Sequence, residues 1–229
     1  MLAQVLGLCI AITPLIAAGT DYEEILQKAL VELNSDYLED WTFNEMRISK
    51  GVVTEAHYDP RINDKWRLQS IQGRAPTPEE RKKFVQEKTK ETRGAANQGQ
   101  RRDLKSLVSL NSLNLVRESE EYWLFEFVPD VGGDDNQLMA SLHGEVKISK
   151  KSSIVEYIDV SNEDILKPRF GFRVDKFFSR IEYMRLQNLG PIVPSRIEFR
   201  MKAKALGMVN VDEKIVLTYT NYESIDKTY

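Results

Sequence analysis

The sequence predicts a mainly β chain of the α+β kind, with a single curved antiparallel sheet forming an open half-barrel and helices covering its concave face. Three observations carry this. From Trp41 onward, apolar and polar residues alternate with period two through most of the chain, as when one face of an antiparallel sheet stays wet. Short turn signals separate the alternating runs, so each strand is expected beside its sequence neighbour. Only two stretches carry helix signals, and these are the pieces that can lie across one face.

The elements follow in order. Residues 1–19, "MLAQVLGLCIAITPLIAAG", are apolar and hold no charged side chain. The run is shorter than the roughly 20 residues of a spanning helix, and Ala17-Ala18-Gly19 supplies the small residues a signal peptidase reads. This predicts a secretory signal peptide, periplasmic localisation and one domain over 20–229. No Lys or Arg precedes the apolar core, so only the terminal amine supplies positive charge. The single cysteine, Cys9, lies inside this segment behind Leu8, where a lipid-attachment signal has a small residue. A mature chain without it has no disulfide, thiolate nucleophile or cysteine metal ligand.

Thr20 and Glu23 form a capping box, and Tyr22, Ile25, Leu26, Ala29, Leu30, Leu33 and Tyr37 recur at helical spacing, predicting an amphipathic helix to about Asp40. "WTFNEMRISKGVVTEAHYDP" predicts two strands about a Lys50-Gly51 turn, and "KWRLQSIQG" a third. Thr77, Pro78 and Glu80 combine a capping Thr, a first-turn Pro and a capping-box Glu. The helix they open has only Phe84 and Val85 as large apolar residues before Gly94, so it is expected to be largely exposed, with "GAANQGQ" as a loop. Further strands are expected at "YWLFEFVP", on both sides of Lys150-Lys151-Ser152, on both sides of Gly190-Pro191, and at "EKIVLTYTNYESI", with "DVGGDDNQ" as a turn. The total is eight to eleven strands in meander order.

Composition limits the chemistry. The net charge is −3, and the basic residues around Arg81–Lys83 and Arg101–Lys105 read as a solvated helix face, so no nucleic acid is expected. His57 and Asp59 share a strand face at H-x-D spacing, but a metal site needs more ligands. The other histidine, His143, sits in a later hairpin, and both read as surface or turn residues. No metal and no cofactor are expected. The chain has no nucleophile elbow, phosphate loop or dinucleotide fingerprint. Carboxylate-only hydrolysis remains open in principle, but nothing marks a pair. The expectation is a protein that is not an enzyme, with no catalytic residues.

The other candidates are apolar stripes. Trp66 and Leu68, then Trp123, Phe125 and Phe127, then Ile197, Phe199 and Met201 each point one way along a strand. They form either a filled core or the lining of an apolar ligand site. An apolar leader, an amphipathic helix and a strand meander split by a capped helix resemble the periplasmic lipoprotein-carrier family, the LolA/LolB-like group. "YDPRINDKWRLQSIQGRAPTPEE" and "GEVKISKKSSIVEYIDV" also resemble uncharacterised secreted bacterial proteins described as lipoprotein-sorting-like. The resemblance implies a half-barrel with an apolar concave face and non-enzymatic handling of a lipid or lipoprotein acyl chain. The alternative is a protein-interaction module of a cell-envelope assembly or stress-response complex. No transmembrane span is expected in the mature chain.

Overall fold

Lys50 and Gly51 both adopt positive φ, 50° and 77°. Two such residues in a two-residue loop give a turn whose twist matches that of a β-hairpin. They join β1 (Trp41–Ser49) to β2 (Val52–Tyr58) with Ser49 opposite Val52. A second pair of this kind, Gln72 and Gly73, turns the chain after β3 (Trp66–Ile71), where Ile71 and Arg74 exchange backbone hydrogen bonds of 3.0 Å. Ser153, at φ 54°, lies in the turn between β6 (Leu142–Ser149) and β7 (Val155–Asn162).

The computed structural model describes residues 22–33, 37–97, 108–130, 141–169, 171–187, 190–205 and 209–225. The expected leader, most of the "DVGGDDNQ" turn and the basic residues Arg101–Lys105 lie outside them. The remaining strands are β4 (Asn114–Glu118), β5 (Tyr122–Phe127), β8 (Leu166–Arg169), β9 (Phe172–Arg185), β10 (Ile192–Ala205) and β11 (Val209–Ser224). Among the described residues, eleven strands form one antiparallel sheet that does not close into a barrel. Its order is β3-β2-β1-β11-β10-β9-β7-β6-β5-β4, with β8 added on β9.

This order corrects the expected meander. Two meanders, β1–β3 and β4–β11, are joined through their first and last members, with Trp41 opposite Ser224 and Ser49 opposite Ile215. Local turn signals report neighbours in sequence and carry no information about this long-range pairing. The two edges of the sheet are β3 and β4.

The N-terminal helix is shorter than its apolar period suggested. α1 covers Tyr22–Val31, and Leu33 then forms an isolated parallel bridge with Ile192. That bridge takes the backbone off the helical path. A short separate helix, α2 (Tyr37–Asp40), leads directly into β1. α3 (Pro78–Asn97) begins where the capping box places it but runs through Gly94 to Asn97. A helical glycine costs about 1 kcal/mol relative to alanine, too little to stop a helix that Ala95 and Ala96 continue.

Alternation assigns the two faces. Phe125, Val146, Ile158, Ile181, Ile197 and Leu217 stand opposite one another from β5 to β11 and share the concave face with α1. The convex face carries charge. Arg180 pairs with Asp159 and lies over the rings of Tyr157 and Phe178. Glu198 is clasped by Arg196 and Arg200. Their long side chains shield Asp159 and Glu198, which are 8% and 7% exposed although neither α1 nor the apolar clusters lie on this face. Burial pushes the Asp159 carboxyl above the usual carboxylate range, against the opposing pull of Arg180. No described helix is long and apolar enough to cross a membrane.

Candidate functional site

Among the described residues, three apolar clusters lie along the concave face. The largest sits under α1. Leu26, Ala29, Leu30 and Leu33 pack on Phe125, Phe127, Val146, Ile148, Val155, Ile158 and Ile192. The helix presents Leu26, Ala29 and Leu30 from successive turns, so one stripe is buried and the opposite side stays wet, and Leu33 follows on its bridge to Ile192. Tyr22 meets Phe125 edge to face at 6.0 Å. The second cluster is aromatic and closes the β1–β3 end, with Phe43 stacked on Tyr58 at 4.9 Å and met by Tyr219 at 5.5 Å. The third, Leu166, Val174 and Ala203, closes the far ends of β8–β10.

Between these clusters runs an apolar band. Ile181, Ile197 and Leu217 face one another across β9, β10 and β11, and Phe199 stands beside Ile215 in the next row. Phe177 and Met201 form the row after that, with the Phe177 and Phe199 rings 5.8 Å apart. All seven are only part-buried, whereas Phe125, Ile148, Ile192 and Phe43 at the flanks are fully buried.

The side chains by which α3 reaches this face include Phe84 and Lys88. Phe84 meets Trp66 edge to face at 6.5 Å. One turn later, Lys88 lies 4.3 Å from the Trp66 ring centroid and donates to both Glu45 carboxylate oxygens at 2.7 and 3.0 Å. Glu45 shares the concave face with Phe43 and stands opposite Tyr219. At its other end, the α3 cap is charged. Thr77 Oγ1 accepts from the Glu80 backbone, and the Glu80 carboxylate accepts from the Thr77 N–H at 2.8 Å and from Arg74 at 2.5 and 2.9 Å. The Arg74 guanidinium and these donors hold Glu80 down at about 2.

The eight residues singled out as ligand-binding from the sequence do not form one cluster. Phe125 and Phe127 are packed beneath α1, and Trp123 borders them, donating through Nε1 to Glu118 at 3.2 Å. Trp66 and Ile197 border the aromatic cluster, and Leu68 is buried opposite Ala56. Met201 borders the third cluster, and Phe199 lies between. Only Ile197, Phe199 and Met201 belong to the apolar band. Sequence reasoning missed Phe177, Ile181, Ile215 and Leu217, although each lies in a strand it recognised. It also missed Glu45 and Lys88. The available signal was Lys88 four residues after Phe84, on the same helix face.

The polar residues of the H-x-D pattern, His57 and Asp59, are engaged otherwise. His57 Nδ1 lies 2.8 Å from Asn44 Oδ1, and Asp59 is bound by Arg61, whose hydrogen bonds lower its pKa. No group of three or more His, Cys, Asp or Glu arranged to hold a metal occurs among the described residues. No family model matches the chain, and no curated protein matches its sequence.

Proposed function

We propose that the protein is a non-catalytic binding or carrier protein for an apolar ligand such as a lipid or lipoprotein acyl chain, exported to the periplasm. One observation carries the reading. The concave face holds a continuous band of apolar side chains, from Ile181, Ile197 and Leu217 to Phe177 and Met201, that stays part-exposed between closed clusters. Exposed apolar surface in one stretch is costly unless a partner covers it. An acyl chain laid along it contributes about 25 cal/mol per Å² of apolar area removed from water, before binding costs. The apolar, uncharged leader supports export. The absence of a recognisable nucleophile, base or phosphate loop supports a non-catalytic role.

Displacement of a fluorescent fatty-acid probe tests the reading. An unlabelled long-chain fatty acid is expected to displace the probe, and Ile197→Asn is expected to weaken binding about tenfold, or 1.4 kcal/mol. Probe binding that Ile197→Asn and Leu217→Asn leave unchanged in folded protein contradicts the site. A variant with Trp41 and Trp123 replaced by Phe leaves Trp66 as the sole reporter, and its emission is expected to shift on loading.

A further inference from the structure

On the opposite side of the sheet, three strands build a second feature. Arg200 stands opposite both Phe178 and Lys214, and Lys202 stands opposite both Lys176 and Asp212. Partners in an antiparallel pair share a face, as do residues two apart along a strand. Lys176, Arg200, Lys202 and Lys214 therefore all project from the convex face at the far ends of β9, β10 and β11. The sheet there borders an open cavity of about 550 Å³, with Phe178 among its lining and Asn162, the last residue of β7, and Glu163 at its side.

The charges differ in availability. Arg200 is held by Glu198, and its guanidinium lies 5.3 Å from the Phe178 ring centroid. Lys202 lies 3.5 Å from Asp212, both side chains being more than 60% exposed, so the pair is weak and easily exchanged. Asp175, in the bulge of β9, is taken by Arg173. Among the described residues, no carboxylate lies within ion-pair distance of Lys176 or Lys214. Glu213 also borders the cavity, but it alternates with Asp212 and Lys214 and belongs to the concave side. Four cations and four carboxylates border the cavity, and among the described residues Glu163 beside β7 and Glu213 toward the concave side also lack an ion pair; on the convex face itself Lys176 and Lys214 flank the Arg200 guanidinium and the Phe178 ring.

We propose that this cavity is a binding site for a phosphate-bearing ligand, with Lys176 and Lys214 binding the phosphate oxygens and Lys202 exchanging Asp212 for the ligand. Free phosphate compounds and the phosphodiester of a lipid headgroup share this chemistry. The cavity also borders Phe177 and Met201 at one end of the apolar band, but the lysines named project from the other face, and the proposal does not depend on the carrier reading.

The test uses the full chain and two probes. Inorganic pyrophosphate is titrated calorimetrically at low salt, and phosphatidylglycerol vesicles are compared with phosphatidylcholine vesicles by co-sedimentation. Binding in either arm, weakened at least tenfold in Lys176→Gln/Lys214→Gln and unchanged in the distant control Lys28→Gln, is the expected result. Pyrophosphate binding assigns a soluble phosphate compound, and binding to phosphatidylglycerol vesicles alone assigns a lipid headgroup. Both lysines are surface residues, so the double variant is expected to retain the parental circular dichroism. No binding in both arms, or binding that the double variant leaves within twofold, overturns the proposal.

Discussion

Lys88 of α3 and Glu45 of β1 form a buried ion pair beneath the Trp66 ring, with side chains 8% and 2% exposed and two hydrogen bonds of 2.7 and 3.0 Å. The pair fixes a mostly polar helix to the concave face at a point where apolar contact is sparse. Removing one partner leaves the other charge buried without compensation, which costs about 3–5 kcal/mol. Lys88→Met and Glu45→Gln are each expected to lower the denaturation free energy by that order. The double variant is expected to recover most of the loss, because two neutral groups replace two charges. Urea unfolding of all four proteins checks this. Additive losses in the double variant would show that the two residues do not act as a pair.

Gly144 faces the ring of Phe127 across β5 and β6, and a Cβ at this position would overlap that ring. Phe127 is 2% exposed and has little room to turn aside. Gly144→Ala is expected to destabilise by about 1–3 kcal/mol, the usual cost of overpacking. Combination with Phe127→Leu is expected to relieve part of it. Thermal unfolding of the single and double variants measures the coupling, and a neutral Gly144→Ala would contradict the packing described.

The Glu80 cap predicts a pH dependence. Its folded pKa of about 2 lies below the ordinary glutamate value near 4.3, so its contribution is fully present above the unfolded pKa and is lost as pH falls through about 2. The gap in melting temperature between parent and Glu80→Gln is expected to be largest near neutrality. It is expected to close between about pH 4.3 and pH 2. A gap that stays constant across this range would mean that the Arg74 and Thr77 contacts do not stabilise the charged form.

Much of this architecture was legible locally. Lys50-Gly51 marked its hairpin because only particular residues tolerate two positive φ angles in succession. Trp123, Phe125 and Phe127 marked a buried face by period two, and Thr77-Pro78-x-Glu80 marked the start of α3. The closure of β1 on β11 was not legible, since strand pairing across most of the chain leaves no local trace. Gly94 misled because a single helical glycine is tolerated between good helix formers. The apolar band was half visible. Ile197, Phe199 and Met201 gave the pattern on β10, but their neighbours Phe177, Ile181, Ile215 and Leu217 are known only from register. Lys88 was hidden by the otherwise sound inference that a polar helix is exposed.

Native mass spectrometry of the protein purified without detergent, followed by organic extraction and lipid analysis, tests the carrier reading most directly. The account predicts a bound mass that extraction identifies as an acyl lipid, lost or strongly reduced in Ile197→Asn. A clean apo mass from gently handled protein, together with failure to take up added fatty acid, would contradict it and favour a protein-interaction role in which the band is covered by a partner.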